Sequence, residues 1–142
     1  MHFFVPSSIV ALITARLVVA QTTPGSSYYD TTYSTKYSDD NASVDILTCG
    51  AQLAAEGYTT IGSIQGNIAG FANVTGPDSS LCGECFALEY AGAFLDIVVV
   101  DTAEDGFVTT QGAYDNWVGV LAGQNPIPPS VDARVVEGPY DC

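Results

Sequence analysis

The chain has 142 residues, enough for one ordinary domain, and sets sixteen carboxylates against three Lys or Arg and one histidine, for a formal net charge of −13. That balance excludes nucleic acid and anionic membrane surfaces as partners, because both are gripped through lysine and arginine. It favours a dissolved monomer whose easiest partners are neutral or cationic.

The first twenty residues, Met1 to Ala20, read as a secretory signal peptide, with a long apolar region and small residues Val18 and Ala20 before Gln21. Arg16 interrupts that region, leaving it short of the roughly 20 continuous apolar residues a spanning helix needs. With the leader go His2 and Arg16, so the expected mature chain keeps Lys36 and Arg134 as its only cations against sixteen carboxylates, a formal −14. Nucleophilic catalysis by Ser-His-Asp or Cys-His loses its base, and a zinc site loses its imidazole ligands; no cofactor and no metal are expected. Cys49, Cys82, Cys85 and Cys142 all remain. An even count in a short secreted chain implies two disulfides, with three pairings open. The CxxC is the weaker sign of a redox or zinc site, since the compartment is oxidising and no second CxxC is present. Two candidate glycosylation sequons stand at Asn41-Ala42-Ser43 and Asn73-Val74-Thr75.

Residues 21–27 form a flexible lead-in. From residue 28, Tyr29, Thr31 and Tyr33 alternate with Asp30 and Thr32 as in a half-exposed strand. Tyrosine rings beside a carboxylate also suit a sugar, covering its apolar face while accepting its hydroxyl protons. Asp39, Asp40 and Asn41 mark a turn before an expected strand over 43–49. Ala51 to Glu56 predicts a helical turn or two ended by Gly57. Between Tyr58 and Ser80, Gly62, Gly66, Gly70 and Gly76 predict a meander with one strand near 61–65 and a loop through QGNIAGF, its backbone low beside a groove.

Phe86 to Tyr90 and Ala93 to Val100 predict a hairpin joined by Ala91-Gly92. Phe94, Asp96, Val98 and Val100 share one face of the second strand; Leu95, Ile97, Val99 and Asp101 share the other. The strand ends apolar on both faces, which places Asp101 where a buried strand emerges at a rim. Glu104-Asp105-Gly106 turn the chain to Phe107, and Thr109 or Thr110 caps a helix from about Gln111 to Leu121, whose stripe of Tyr114, Trp117, Val118 and Leu121 assigns Trp117 to the core. Pro126 to Pro129 impose an extended loop, and a last strand runs from Val131 to Val136. Six short strands and two helical pieces make a mainly β domain, most simply a small closed barrel.

Tyr29-Asp30, Cys49 after a strand, Ala69-Gly70-Phe71, Cys82-Gly83-Glu84-Cys85-Phe86, Val100-Asp101, Gly106-Phe107, Val131-Asp132 and the terminal Cys142 together resemble the cerato-platanin family of small secreted fungal proteins. Phe71 and Phe86 stand where that family often has tryptophan, and Gly138-Pro139-Tyr140-Asp141 replaces its usual ending. The resemblance implies a six-stranded double-psi β-barrel over residues 28–142, similar to the first domain of expansins, with Cys49 bonded to Cys82 and Cys85 to Cys142. It also implies a non-catalytic, extracellular or wall-associated binder of cell-wall oligosaccharides, chitin-type above all, that elicits host defence and meets host immune receptors. Carried onto this chain, it makes Asp101 the groove carboxylate, Tyr29 and Asp30 its neighbours, and the loop with Asn67 and Gly70 one wall. Expansins have a histidine where this chain has Val100.

Two other readings compete. A glycosidase or transglycosylase needs two carboxylates roughly 5 to 9.5 Å apart; Asp101 and Asp30 are the best pair, with Asp96 or Asp105 behind. A surface-active, self-assembling coat protein is the third, suggested by the apolar 47% of the chain.

Overall fold

In the computed structural model residues 27–142 are described; the expected leader and all of the lead-in but Ser27 lie outside them. Six strands carry the fold: β1 (Tyr28–Ser34), β2 (Asn67–Phe71), β3 (Glu84–Tyr90), β4 (Ala93–Thr102), β5 (Phe107–Thr110) and β6 (Val131–Asp141). They close in the order β1-β5-β2-β4-β3-β6. β1 runs parallel to β5 and β2 parallel to β4, while the remaining pairs are antiparallel. This is the closed six-stranded barrel with two disulfides that the resemblance implies. Two short helices, α1 (Gly50–Ala55) and α2 (Gln111–Tyr114), lie outside the ring, and α2 continues as a π-helical turn over Asp115–Leu121.

The hairpin at the centre of the chain forms as its alternation predicts. Ala91 and Gly92 both have positive φ, 49° and 81°, as a two-residue turn matched to strand twist requires. In β4, Ala93, Leu95, Ile97 and Val99 are buried while Phe94 and Asp96 are exposed. Trp117 is fully buried and donates Nε1–H to the Ala93 carbonyl at 3.1 Å, which ties the helical segment to the mouth of the hairpin. The assignment of Trp117 to the core therefore holds.

Two of the six expected strands are not strands. Residues 43–49 instead make a 3-10 turn over Val44–Ile46, capped by Ser43 Oγ accepting from the Asp45 N–H at 3.2 Å. Its buried residues are Val44 and Leu47, three apart, with Ile46 exposed; that is the period of a 3-10 turn, not of a strand. Residues 61–65 behave alike, with a 3-10 turn at Ile61–Ser63 burying Ile61 and Ile64. The strand lies further on, in the very QGNIAGF segment read as a loop. β2 is interior, paired on both sides, and four of its five residues are buried. Its glycine is there for space: a Cβ on Gly70 would stand 2.5 Å from the Thr102 carbonyl oxygen and 2.8 Å from the Tyr37 hydroxyl. β5 replaces the other lost strand; it is four residues long, and its Thr110 doubles as the helix cap, accepting from Ala113 N–H at 3.2 Å. β6 runs five residues past its expected end, to Asp141.

The disulfides join Cys49 to Cys82 and Cys85 to Cys142, across sequence separations of 33 and 57 residues. Loops of that size are worth about 3 to 4 kcal/mol each in the chain-entropy picture. Every fully buried side-chain polar atom among the described residues has a hydrogen-bond partner; within the barrel, Thr109 Oγ1 donates to the Ile68 carbonyl at 2.9 Å.

Gly70→Ala is expected to destabilise the barrel by about 3 kcal/mol, since rigid backbone blocks the new methyl. Gly76→Ala, with nothing within 4 Å of the new carbon, should be near neutral. Denaturant unfolding of the two variants checks this, and equal midpoints would remove the packing role given to Gly70.

Candidate functional site

β4 delivers Asp101 to its end as the alternation predicts, but the carboxylate there is enclosed. Asp101 is 2% exposed. Its Oδ1 accepts from the Thr48 N–H at 2.8 Å, the Thr48 hydroxyl at 2.7 Å and the Thr102 N–H at 3.0 Å. Its Oδ2 accepts from the Tyr37 hydroxyl at 3.2 Å and from the Lys36 ammonium in a direct ion pair. Burial pushes the Asp101 carboxyl up, but the Lys36 ammonium and the two Thr48 donors outweigh it and hold the carboxyl below its ordinary value. Tyr37 is displaced the other way, well above the ordinary phenol value, by its burial and by the Asp101 charge. Lys36, Tyr37 and Thr48 all escaped the sequence reading. Only Lys36 carried a signal, its scarcity: the two cations of residues 27–142 each sit against a particular carboxylate.

Among the described residues, two clefts stand out on the barrel. The larger, about 520 Å³, is lined by Tyr29, Leu81 and Val135, with Asn73, Arg134 and Glu137 as polar groups. Tyr29 stands edge-on to Phe71 and Phe107, with centroids 5.3 and 5.4 Å apart, so packing fixes the ring. Phe71 and Phe86 lie deeper in the same cleft, buried to 2% and 4% exposure. The smaller, about 410 Å³, is lined by Tyr58, Gln65, Asn67, Glu56 and Asp96 among others, and Asn67 Nδ2 donates to the Asp96 carbonyl at 3.0 Å.

The expected site residues are therefore spread over four places. Tyr29 lines the larger cleft and Asn67 the smaller. Gly70 and Asp101 are register partners on β2 and β4, and both are buried. Asp30 follows Tyr29 on β1 and so takes the opposite face. It pairs in register with Asp132 on β6, and its charge reaches Tyr114, whose hydroxyl is pushed up to about 12 chiefly by burial. Direct ligand contact by Asp101 would require breaking hydrogen bonds that already use both its oxygens. Among the described residues no group of three or more His, Cys, Asp or Glu is placed to hold a metal, and no helix is long and apolar enough to cross a membrane. Asn41 and Asn73 are both exposed.

The second cation is also committed. Arg134 Nε donates to Glu89 Oε2 at 3.0 Å, and Glu89 Oε1 accepts the Gly92 N–H at 2.7 Å. The Gly92 N–H first, and then Arg134, hold the Glu89 carboxyl below its ordinary value. Both cations of residues 27–142 thus sit in ion pairs, and fourteen of the sixteen carboxylates have no cationic partner.

Comparison with known proteins agrees with this architecture. A family model described as cerato-platanin matches residues 29–137. Allergen Asp f 15 of Aspergillus fumigatus is 26% identical over 131 residues, which cover 86% of this chain and 86% of that protein. Its homologue in Arthroderma benhamiae is 30% identical over 131 residues, and there the match covers 87% of this chain and 62% of the relative. The crystal structure of cerato-platanin 3 from M. perniciosa superposes with a TM-score of 0.67 at 24% identity, covering 78% of this chain and 95% of that one. Cerato-platanin 1 from M. perniciosa gives 0.63 at 26% identity, with 77% and 95% covered. The solution structure of the fungal elicitor Cerato-Platanin gives 0.57 at 20%, with 76% and 92% covered.

Because the Asp101 carboxyl is depressed on folding, its contribution to stability is present above the unfolded value of about 4 and is lost as pH falls below it. Asp101→Asn should cost about 2 kcal/mol at pH 7, because it weakens the charged acceptor that the buried Tyr37 hydroxyl and the Thr48 and Thr102 N–H groups share, while the exposed Lys36 loses a solvent-screened partner. Its stability curve should also be flatter than wild type below about pH 4. Urea unfolding from pH 7 down to pH 2.5 measures both effects, and parallel curves would rule out this role.

Proposed function

The chain belongs to the cerato-platanin family, and from that premise we propose that it is a secreted, non-catalytic protein that binds chitin-type cell-wall oligosaccharides and elicits host defence. The observation that carries the reading is the larger cleft. Its volume of about 520 Å³ is in the range of small-ligand sites. It offers a rigid tyrosine ring for the apolar face of a sugar, a neutral amide in Asn73 for an acetamido or hydroxyl group, and an acceptor carboxylate in Glu137. An open groove with so few polar anchors suits dissociation constants of the order of micromolar to millimolar. Host defence as an outcome is supported by the likeness to a solved structure that is itself named a fungal elicitor.

The non-catalytic part of the reading rests on Asp101. A general acid must hold a proton near neutral pH, whereas this carboxyl is kept ionised by Lys36 and Thr48 and has almost no open surface. A glycosidase built on Asp101 and Asp30 also lacks support from placement, since Asp101 is enclosed and Asp30 lies on β1 in register with Asp132 of β6. Asp101 acts instead as a positioning residue that holds Lys36, Tyr37 and Thr48 together beside β2.

Titration of the protein with chitin oligomers by calorimetry or NMR tests the site. Tyr29→Leu, which keeps carbon against Phe71 and Phe107 while removing the ring, should weaken binding about tenfold, or 1.4 kcal/mol. Glu137→Gln, at an exposed position, should weaken it less and leave the melting temperature unchanged. Unaltered affinity in both variants would remove the cleft as the binding site.

A further inference from the structure

The sequon at Asn73 has a place in the fold that the one at Asn41 does not share. Phe71 to Val74 form a tight turn leaving β2, closed by the Val74 N–H donating to the Phe71 carbonyl at 3.0 Å. Val74 is buried at 2% exposure and pins the turn, while Asn73 and Thr75 on either side are exposed. Asn73 lines the larger cleft together with Tyr29, whereas Asn41, on the Asp39–Ala42 turn, lines neither cleft.

We propose that Asn73 carries an N-linked glycan and that the first two sugars of this glycan occupy the cleft beside Tyr29, so that the secreted protein closes its binding site with its own carbohydrate. The inference rests on the chitin-type reading of that cleft and extends it to regulation. In the transfer, the Asn73 amide nitrogen bonds to the anomeric carbon of a polyprenyl-diphosphate-linked oligosaccharide. The bond from that carbon to the diphosphate breaks, and the amide loses one proton. The sugars delivered in this way begin with two β-1,4-linked N-acetylglucosamines, the same disaccharide unit that chitin repeats. A cleft that recognises chitin oligomers therefore recognises the base of its own glycan. Because the acceptor lies in the lining of the cleft, the contact is intramolecular, with an effective concentration of the order of millimolar. Against an intrinsic dissociation constant of about 0.1 mM, a concentration of about 1 mM weakens the apparent affinity for free oligomer about tenfold. Trimming by an extracellular glycosidase would then open the site.

The full chain, secreted from a eukaryotic host that glycosylates, is the material for the test. Intact-mass and glycopeptide mass spectrometry should find Asn73 modified; an unmodified Asn73 overturns the proposal. Chitin tetramer should bind the glycosylated protein about tenfold more weakly than Thr75→Ala, which abolishes the sequon without touching the cleft, and than the enzymatically deglycosylated protein. Asn41→Gln should change nothing. Equal affinity of the glycosylated and sequon-free proteins overturns the proposal, and Thr75→Val, which also removes the sequon and leaves the Asn73 amide in the cleft, guards against a defect peculiar to Thr75→Ala. If neither sequon-free variant binds tetramer although both melt like wild type, the chitin-type reading itself has failed. Closure is then decided by NMR: glycan-dependent shifts confined to Tyr29, Leu81 and Val135 support it, and their absence overturns it.

Discussion

The buried Asp101 carboxylate is the constraint around which this barrel is arranged. A charge removed from water must be compensated on the spot or it unfolds its surroundings, and here the compensation is drawn from three separate stretches of chain. Lys36 and Tyr37 come from the turn after β1, Thr48 from the segment before α1, and Thr102 from the end of β4 itself. The same requirement reaches β2, because the Tyr37 hydroxyl that serves Asp101 stands where a side chain at position 70 would be. Cys49 follows Thr48, and its N–H donates to the Val100 carbonyl at 3.2 Å. One carboxylate thus fixes how the 3-10 segment, α1 and the first disulfide lie against the barrel.

Charge scarcity shapes recognition as well. Lys36 is spent on Asp101 and Arg134 on Glu89. What remains for a ligand in the larger cleft is the free edge of the Arg134 guanidinium beside rings, amides, hydroxyls and acceptor carboxylates. Those are the groups on which the proposed recognition of a neutral polyhydroxylated partner rests.

Much of this was legible in the residues. The β3–β4 hairpin, the burial of Trp117 and the position of Asp101 at a strand end followed from period-two and helical patterning, and the barrel and disulfide pairing followed from the family resemblance. Residues 43–49 misled because Val44, Ile46 and the β-branched Thr48 mimic alternation; only the packing of Val44 with Leu47 selects the 3-10 period. Asn67 to Phe71 misled in the opposite sense. Gly66 and Gly70 signalled a loop, whereas one glycine turns the chain at a φ of +91° and the other yields space to its neighbours. Patterning placed Asp101 at the end of a strand, but no local pattern reveals that Lys36, sixty-five residues earlier, reaches it.

The cleft itself could not be read from any periodicity, because it comes from irregular pairing. β6 slips register against β3 between Cys85 and Ala87 and again between Ala87 and Leu88. Such bulges bend a strand and re-aim its side chains. The residues that span the slip, Val135 to Pro139, form one wall of the cleft. Gly138 lets that wall descend onto Phe86, where a Cβ would stand 2.5 Å from the ring, so the unusual Gly138-Pro139 ending is part of how the groove is cut. The second disulfide then fixes the end of β6 to Cys85, on the strand it has slipped against. A regular ladder here would pair β6 evenly along β3 and bring those residues into the plane of the sheet. The irregularity therefore stands closer to function than the regular part of the barrel, with Tyr29 and Asn73 facing the opening that it makes.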